Sequence, residues 1–278
     1  MSQLRERFIR DLTIRNYSPR TIRSYVSALI HLACSYNKCP SQISTEELKG
    51  YVNDLVQSGK SWSTVNLVIS AVNRFHVESL GNERQLDRLK RPKAELKLPC
   101  VLSIEEIDQL MGSVRNLKHR CLLMTIYSAG LRISEVCHLK LSDIDSSRMR
   151  IIIRNAKGHK DREVILSPKL LIILRDYFKR YHPEVYLFNG FDYGSPYTVS
   201  STQKVFKKAL KQVGINKKAT PHTLRHSYAT HLMDKGIDIR IIQSLLGHKS
   251  MKSTMRYCHL SNAKYADVKS PLDDLSSI

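Results

Sequence analysis

The chain of 278 residues has no apolar run approaching the roughly 20 residues needed to cross a bilayer; its richest stretches, Cys121–Ile126 and Leu170–Leu174, are short. Residues 1–10 are charged and lack the apolar core and small-residue cleavage site of a secretory signal, so no membrane partner and a cytoplasmic location are expected. Cysteine is sparse: Cys34, Cys39, Cys100, Cys121, Cys137 and Cys258 are scattered without a CxxC pair, which excludes a disulfide scaffold and predicts reduced thiols. With only 11 Gly and 9 Pro against 42% hydrophobic residues, collagenous, low-complexity and disordered readings are excluded as well. Acid is scarce too. The 25 Asp and Glu face 45 Lys and Arg, a net charge of +20. Such a surplus repels itself in a compact state and points to a polyanionic partner, nucleic acid first. A solubility device is the alternative that composition does not separate.

The pattern predicts two domains. Residues 1–92 read as a helical bundle followed by a basic linker. Ser18-Pro19 starts a helix that ends near Asn37, Ser44-Thr-Glu-Glu47 is a capping box, and Ser63 is expected to cap a helix running to Gly81. Arg84, Arg88, Lys90, Arg91, Lys93 and Lys97 then replace the apolar periodicity. Residues 93–278 read as mainly α with a small antiparallel sheet. Ser103-Ile-Glu-Glu106 is a second capping box, Leu117–Ala129 a buried helix ended by Gly130, and the β-branched runs at 149–154 and 162–166 a hairpin around a turn at 155–161. Helices follow over 168–181, 199–213, 221–235 and 238–246.

Three clusters could carry chemistry. In Ser128-Ala-Gly-Leu-Arg-Ile-Ser-Glu135, Arg132 follows a helix-ending glycine and Glu135 lies three residues on, an ion pair that taken alone reads as structural more often than functional. In Pro221-His-Thr-Leu-Arg-His226, His222 and Arg225 share a face at a helix N-terminus that favours an anion, whereas His226 and His231 read as core histidines. In the third, Leu245-Leu-Gly-His248 precedes Tyr257, a possible nucleophile. A zinc site built on His222 and His226 lacks the glutamate and further ligands it would need.

Together, Ala129-Gly-Leu-Arg-Ile-Ser-Glu135, Lys157-Gly-His-Lys, His222-Thr-Leu-Arg-His226, Leu246-Gly-His248 and Tyr257 resemble the tyrosine site-specific recombinases of the phage integrase and Xer type, over nearly the whole chain. Each motif is weak singly; five in this order are specific. The resemblance implies a SAM-like core-binding domain followed by a catalytic domain. It implies that Arg132 and Arg225 grip the scissile phosphate, that Lys157 (with Lys160 as second candidate) protonates the leaving 5′ oxygen, and that His222 receives the tyrosine proton. His248 would hydrogen-bond the phosphate or nucleophile, Glu135 would support the pocket, and Tyr257 would form a 3′-phosphotyrosyl bond. It further implies a double-stranded DNA site, no cofactor, metal or ATP, and a tetramer of this chain or a heterotetramer with a related recombinase, joined through the tail after Tyr257. Such an enzyme would be nucleoid-associated. A type IB topoisomerase activity and a decayed architectural DNA-binding protein are the competing readings; the separate bundle and tail argue against the first, the filled site positions against the second.

Overall fold

The computed structural model describes residues 2–82, 99–156, 160–192, 194–248 and 250–257. The chain divides into two compact units, Met1–Leu96 and Lys97–Ile278. The basic linker and the tail predicted above lie outside the described residues.

The first unit consists of α1 (Ser2–Ile14), α2 (Pro19–Tyr36), α3 (Thr45–Gln57) and α4 (Trp62–Arg74). Ser18 caps α2, with Pro19 in the first turn where a missing N–H is harmless, and Asn37 closes it in the left-handed region. The Ser44–Glu47 capping box forms as predicted. The cap of α4 does not lie on Ser63: it is Ser61, whose Oγ accepts from the Thr64 N–H at 3.3 Å and pairs with the Thr64 hydroxyl at 2.9 Å. The helix also changes before Gly81. After Arg74 the chain widens into a π-helical turn, Phe75–Leu80, which puts Glu78 between Arg15 and Arg74 and lets Ser79 donate to Asp11 of α1. Phe8, Leu12, Leu29, Leu32, Leu48, Val65, Ile69 and Phe75 form its core.

The second unit opens with α5 (Ile104–Ser113), held by the Ser103–Glu106 capping box, then α6 (Leu117–Ala129) and α7 (Ile133–Cys137). A three-stranded antiparallel sheet follows in the order β1 (Ile144–Asp145), β2 (Arg150–Ala156), β3 (Lys160–Ile165). β1, a two-residue strand, escaped the sequence pattern because alternation needs a longer run to show. Then come α8 (Pro168–Tyr181), α9 (Val199–Gln212), α10 (Pro221–Asp234), α11 (Ile239–Leu246) and a short α12 (Met251–Met255). α6 has no exposed residue and buries Cys121, Leu122, Leu123, Thr125, Ile126 and Ala129. It packs against α5, α8, α9 and α10, so the turn at its C-terminus sits in the middle of the unit.

That turn depends on Gly130, which adopts φ +60°. A Cβ there would lie 2.5 Å from the Tyr228 ring and 3.2 Å from Leu246, so glycine allows α10 and α11 to close on the end of α6. Gly130→Ala combines left-handed strain with overpacking and is expected to destabilise the unit by about 2–4 kcal/mol. A thermal midpoint lowered by roughly 5–15 °C in a melting curve would show it; an unchanged midpoint would contradict the packing.

Candidate active site

The site is built around the ends of α6 and α11. Past Gly130, Arg132 begins α7; its backbone N–H donates to Glu135 Oε2 at 2.8 Å and its guanidinium to Glu135 Oε1 at 2.6 Å. From β3, Arg162 grips the same carboxylate with both prongs, at 2.9 and 2.7 Å. Arg225, in the second turn of α10 and only 1% exposed, lies 3.9 Å from it. Burial works to raise the Glu135 carboxyl, but the Arg162 fork and the Arg132 contacts overcome it and lower it to about 2.

One carboxylate does not satisfy three guanidinium groups, and the helix ends supply the rest. The last carbonyls of a helix have no partner within it. At the C-terminus of α11 three successive ones accept from three arginines: Leu245 from Arg162 Nε at 3.0 Å, Leu246 from Arg225 at 2.5 Å, and Gly247 from Arg132 at 3.2 Å. The Gly130 carbonyl at the end of α6 takes the other Arg225 prong at 2.6 Å. Gly247 is again left-handed (φ +60°), and a Cβ there would meet the Arg162 stem at 2.9 Å. The arginines are thus fixed from behind. Arg225 Nε, buried, has no hydrogen-bond partner among the described residues. Burial and the Arg132 charge lower Arg225 to about 10, so it remains cationic at neutral pH.

Three histidines and Tyr257 complete the pocket. His222, at the start of α10, meets His226 edge-on with ring centroids 4.5 Å apart. His248 follows α11; its Nδ1 pairs with the Thr254 hydroxyl at 3.0 Å, and its ring lies near-parallel to that of Tyr257 at 6.3 Å. Tyr257, just past α12 and 2% exposed, bonds through its hydroxyl to His226 Nδ1 at 2.9 Å. Burial, helped by the neighbouring cations, lowers His226 and His248 to about 4 and also lowers His222. Burial raises the Tyr257 phenol, against the pull of Arg225, Arg256 and Arg132. At pH 7 the histidines are neutral and the tyrosine keeps its proton.

The structure therefore gathers Arg132, Glu135, His222, Arg225, His248 and Tyr257 into one pocket. Lys157, in the hairpin turn, lies outside the described residues; Lys160 begins β3. Two members were missed. His226, assigned to the core from sequence, is the partner of the phenol, because the turn after α12 brings Tyr257 back to α10. Arg162 was read only as the start of a strand. Its signal was its phase: it alternates with Val164 and Leu166, both buried, and so faces inward where a charge needs a partner. His231 instead bonds the Tyr127 hydroxyl at 2.9 Å, a packing role. No group of three or more His, Cys, Asp or Glu is placed to hold a metal ion among the described residues.

Known proteins share this mainly helical architecture with its small antiparallel sheet. Residues 101–264 match the phage integrase family and residues 4–85 its N-terminal SAM-like domain. A tyrosine recombinase XerA of Pyrococcus horikoshii is 38% identical over 263 residues, covering 92% of this chain and 88% of that protein. A tyrosine recombinase of Thermosipho africanus is 31% identical over 268 residues, covering 92% and 94%. The crystal structure of a XerA recombinase superposes with a TM-score of 0.55 at 30% identity, covering 94% of each chain. A lambda integrase fragment bound to a core site shares the fold, with a TM-score of 0.78 at 18% identity over 97% of this chain and 99% of that one. The chain belongs to the phage integrase family, and its activity is that of a tyrosine site-specific recombinase. Among the described residues no helix is long and apolar enough to cross a membrane.

Proposed function

We propose that the pocket holds a DNA phosphodiester between Arg132 and Arg225 and that Tyr257 attacks it. The observation that carries this reading is Arg225: a buried guanidinium anchored by two backbone carbonyls, its Nε without a hydrogen-bond partner among the described residues, beside Arg132 and Arg162. Charge on the non-bridging oxygens grows in the pentacoordinate transition state, and donors already fixed from behind stabilise it without reorganising. His222 receives the tyrosine proton, and His248 hydrogen-bonds the phosphate or the nucleophile. Lys157 protonates the departing 5′ oxygen. The 3′-phosphotyrosyl bond keeps the energy of the broken phosphodiester, so a 5′-hydroxyl from the partner strand reseals it without ATP or metal.

The units divide the work: residues 1–92, with the basic linker, bind the duplex as the core-binding domain, and residues 93–278 carry the chemistry. Assembly is a tetramer on two DNA sites, of this chain or with a related recombinase, through the tail. Support comes from relatives of the same fold described as a lambda integrase tetramer bound to a Holliday junction and a XerH recombinase bound to its palindromic difH substrate. The location that suits this activity is the cytoplasm, on the nucleoid.

The test is to trap the enzyme on a library of nicked duplex fragments in EDTA, denature, and sequence the DNA left joined to protein. The expected result is one shared sequence linked through its 3′ end to the peptide containing Tyr257. Ends of random sequence, with efficient relaxation of any supercoiled plasmid, would instead make it a topoisomerase. Arg162→Lys keeps the charge but loses the fork on Glu135 and the bond to Leu245. Adduct formation is expected to slow by about 10²-fold, as small displacements of positioned groups do, while gel-shift affinity is kept. An unchanged rate would show that Arg132 is held without it.

A further inference from the structure

We propose that Thr254 is a positioning residue of strand cleavage: its hydroxyl orients His248 from the helix that leads into Tyr257, so that the histidine and the nucleophile are set together. This rests on the reading that His248 and Tyr257 act at the phosphate.

The starting point is a hydroxyl buried where an apolar side chain would pack as well. α12 has five residues, too few to hold a helix by its own hydrogen bonds, so its place against α11 depends on what it buries. The residue it buries is a threonine, Thr254, at 0% exposure. A hydroxyl taken out of water costs free energy unless it finds a partner. Thr13, Thr125 and Thr202, within longer helices, find theirs one turn back, at the carbonyls of Ile9, Cys121 and Thr198. The Thr254 hydroxyl instead pairs with His248 Nδ1, at 3.0 Å.

That contact decides the ring rather than the backbone. The His248 main chain is already fixed: its N–H donates to the Gln243 carbonyl and its own carbonyl accepts from Gln243 Nε2, each at 3.1 Å. The side-chain torsions remain to be set. Pairing Nδ1 with Thr254 sets them, whichever of the two atoms carries the proton. The other ring nitrogen, Nε2, then points away from Thr254. Besides burial, the groups acting on this ring are Arg225, Arg132, His222 and Arg162, all members of the pocket. The Thr254 carbonyl meanwhile accepts the Tyr257 N–H at 3.0 Å, and the tyrosine ring lies near-parallel to that of His248. One residue thus holds the histidine by its side chain and the nucleophile's turn by its backbone. Removing the hydroxyl cuts the first link and keeps the second.

The experiment measures the rate of covalent adduct formation by the full chain on a pool of nicked duplexes with a randomised core. Thr254→Val keeps the shape and drops the hydroxyl; Thr254→Ser keeps the hydroxyl and drops the methyl. Thr254→Val is expected to lose about 10- to 100-fold in rate, as displaced supporting groups do, with gel-shift affinity unchanged, and Thr254→Ser to keep most of the rate. His248→Ala should lose at least as much as Thr254→Val. Adding Thr254→Val to it should cost nothing more, since the ring to be oriented is gone. A threonine needed only for packing would give additive losses. Thermal midpoints report folding separately, and Thr254→Ala repeats the comparison without the packing of valine. Wild-type rate in Thr254→Val, an equal loss in Thr254→Ser, or additive losses in the double variant would overturn the proposal. Wild-type rate in His248→Ala would instead overturn the role of His248 at the phosphate, and this proposal with it.

Discussion

Tyr257→Phe is expected to form no covalent adduct on nicked DNA, with a loss on the order of 10⁶-fold, the scale on which removing a covalent nucleophile acts, and still to retard the duplex in a gel. The single oxygen removed is the atom that would be joined to phosphorus, whereas the charges that bind DNA are untouched. The Arg132 and Arg225 guanidinium groups do not contact it and stay anchored on Gly130, Leu246, Gly247 and Glu135. Its loss does leave His226 Nδ1 without its partner in a buried site, a cost of about 1–3 kcal/mol. The variant is therefore expected to melt a few degrees lower but to fold. A residual adduct at a different tyrosine, found by mass spectrometry of the joined peptide, would refute the assignment.

Glu135→Gln is expected to have the largest effect on stability. Among the described residues the carboxylate is the one acid contacting Arg132, Arg162 and Arg225, and an amide leaves three cations converging on a neutral group. Breaking a buried pair by removing one partner destabilises by about 3–5 kcal/mol. The melt of the second unit should fall accordingly, and cleavage should fail because Arg132 loses its anchor. A variant that melts like the wild type would show that the helix-end carbonyls alone hold the arginines. The pH dependence has a definite sign. The folded protein holds Glu135 at about 2, below the ordinary 4.5 of a glutamate, so its contribution is fully present above about pH 4.5 and disappears as pH falls toward 2. His226 and His248, held near 4 against the ordinary 6.5 of a histidine, bind protons more readily when unfolded. Their effect therefore appears earlier, as stability lost between about pH 6.5 and 4. Acid titration of the wild type should show both windows, and Glu135→Gln the upper one with a smaller lower one, since Glu47 and Asp238 are also held near 2.

How far the sequence could be read depended on the range of the interaction. Helix ends are local. Ser44 with Glu47, Ser103 with Glu106 and the left-handed glycine at 130 announce themselves within four residues, and the structure keeps them. Where two serines competed for one helix start, the local signal failed: Ser61 rather than Ser63 caps α4, because Ser61 can pair with both the backbone and the hydroxyl of Thr64. The π-helical turn at Phe75–Leu80 was invisible, since it answers to Asp11 and Arg15 on another helix.

The site divides along the same line. The sequence by itself determined the two-part helical organisation, the surplus of positive charge and, through motifs that occupy a few consecutive residues, the family, and it singled out Arg132, Glu135, His222, Arg225, His248 and Tyr257 as site candidates. Only the tertiary structure decided which groups touch. Arg162 reaches Glu135 across 27 residues of chain and His226 reaches Tyr257 across 31, and three arginines share the end of a helix that none of them belongs to. The physical reason is that a motif records the residues a backbone segment presents, whereas a buried charge or proton acceptor is defined by whatever the packed core places within about 3 Å of it.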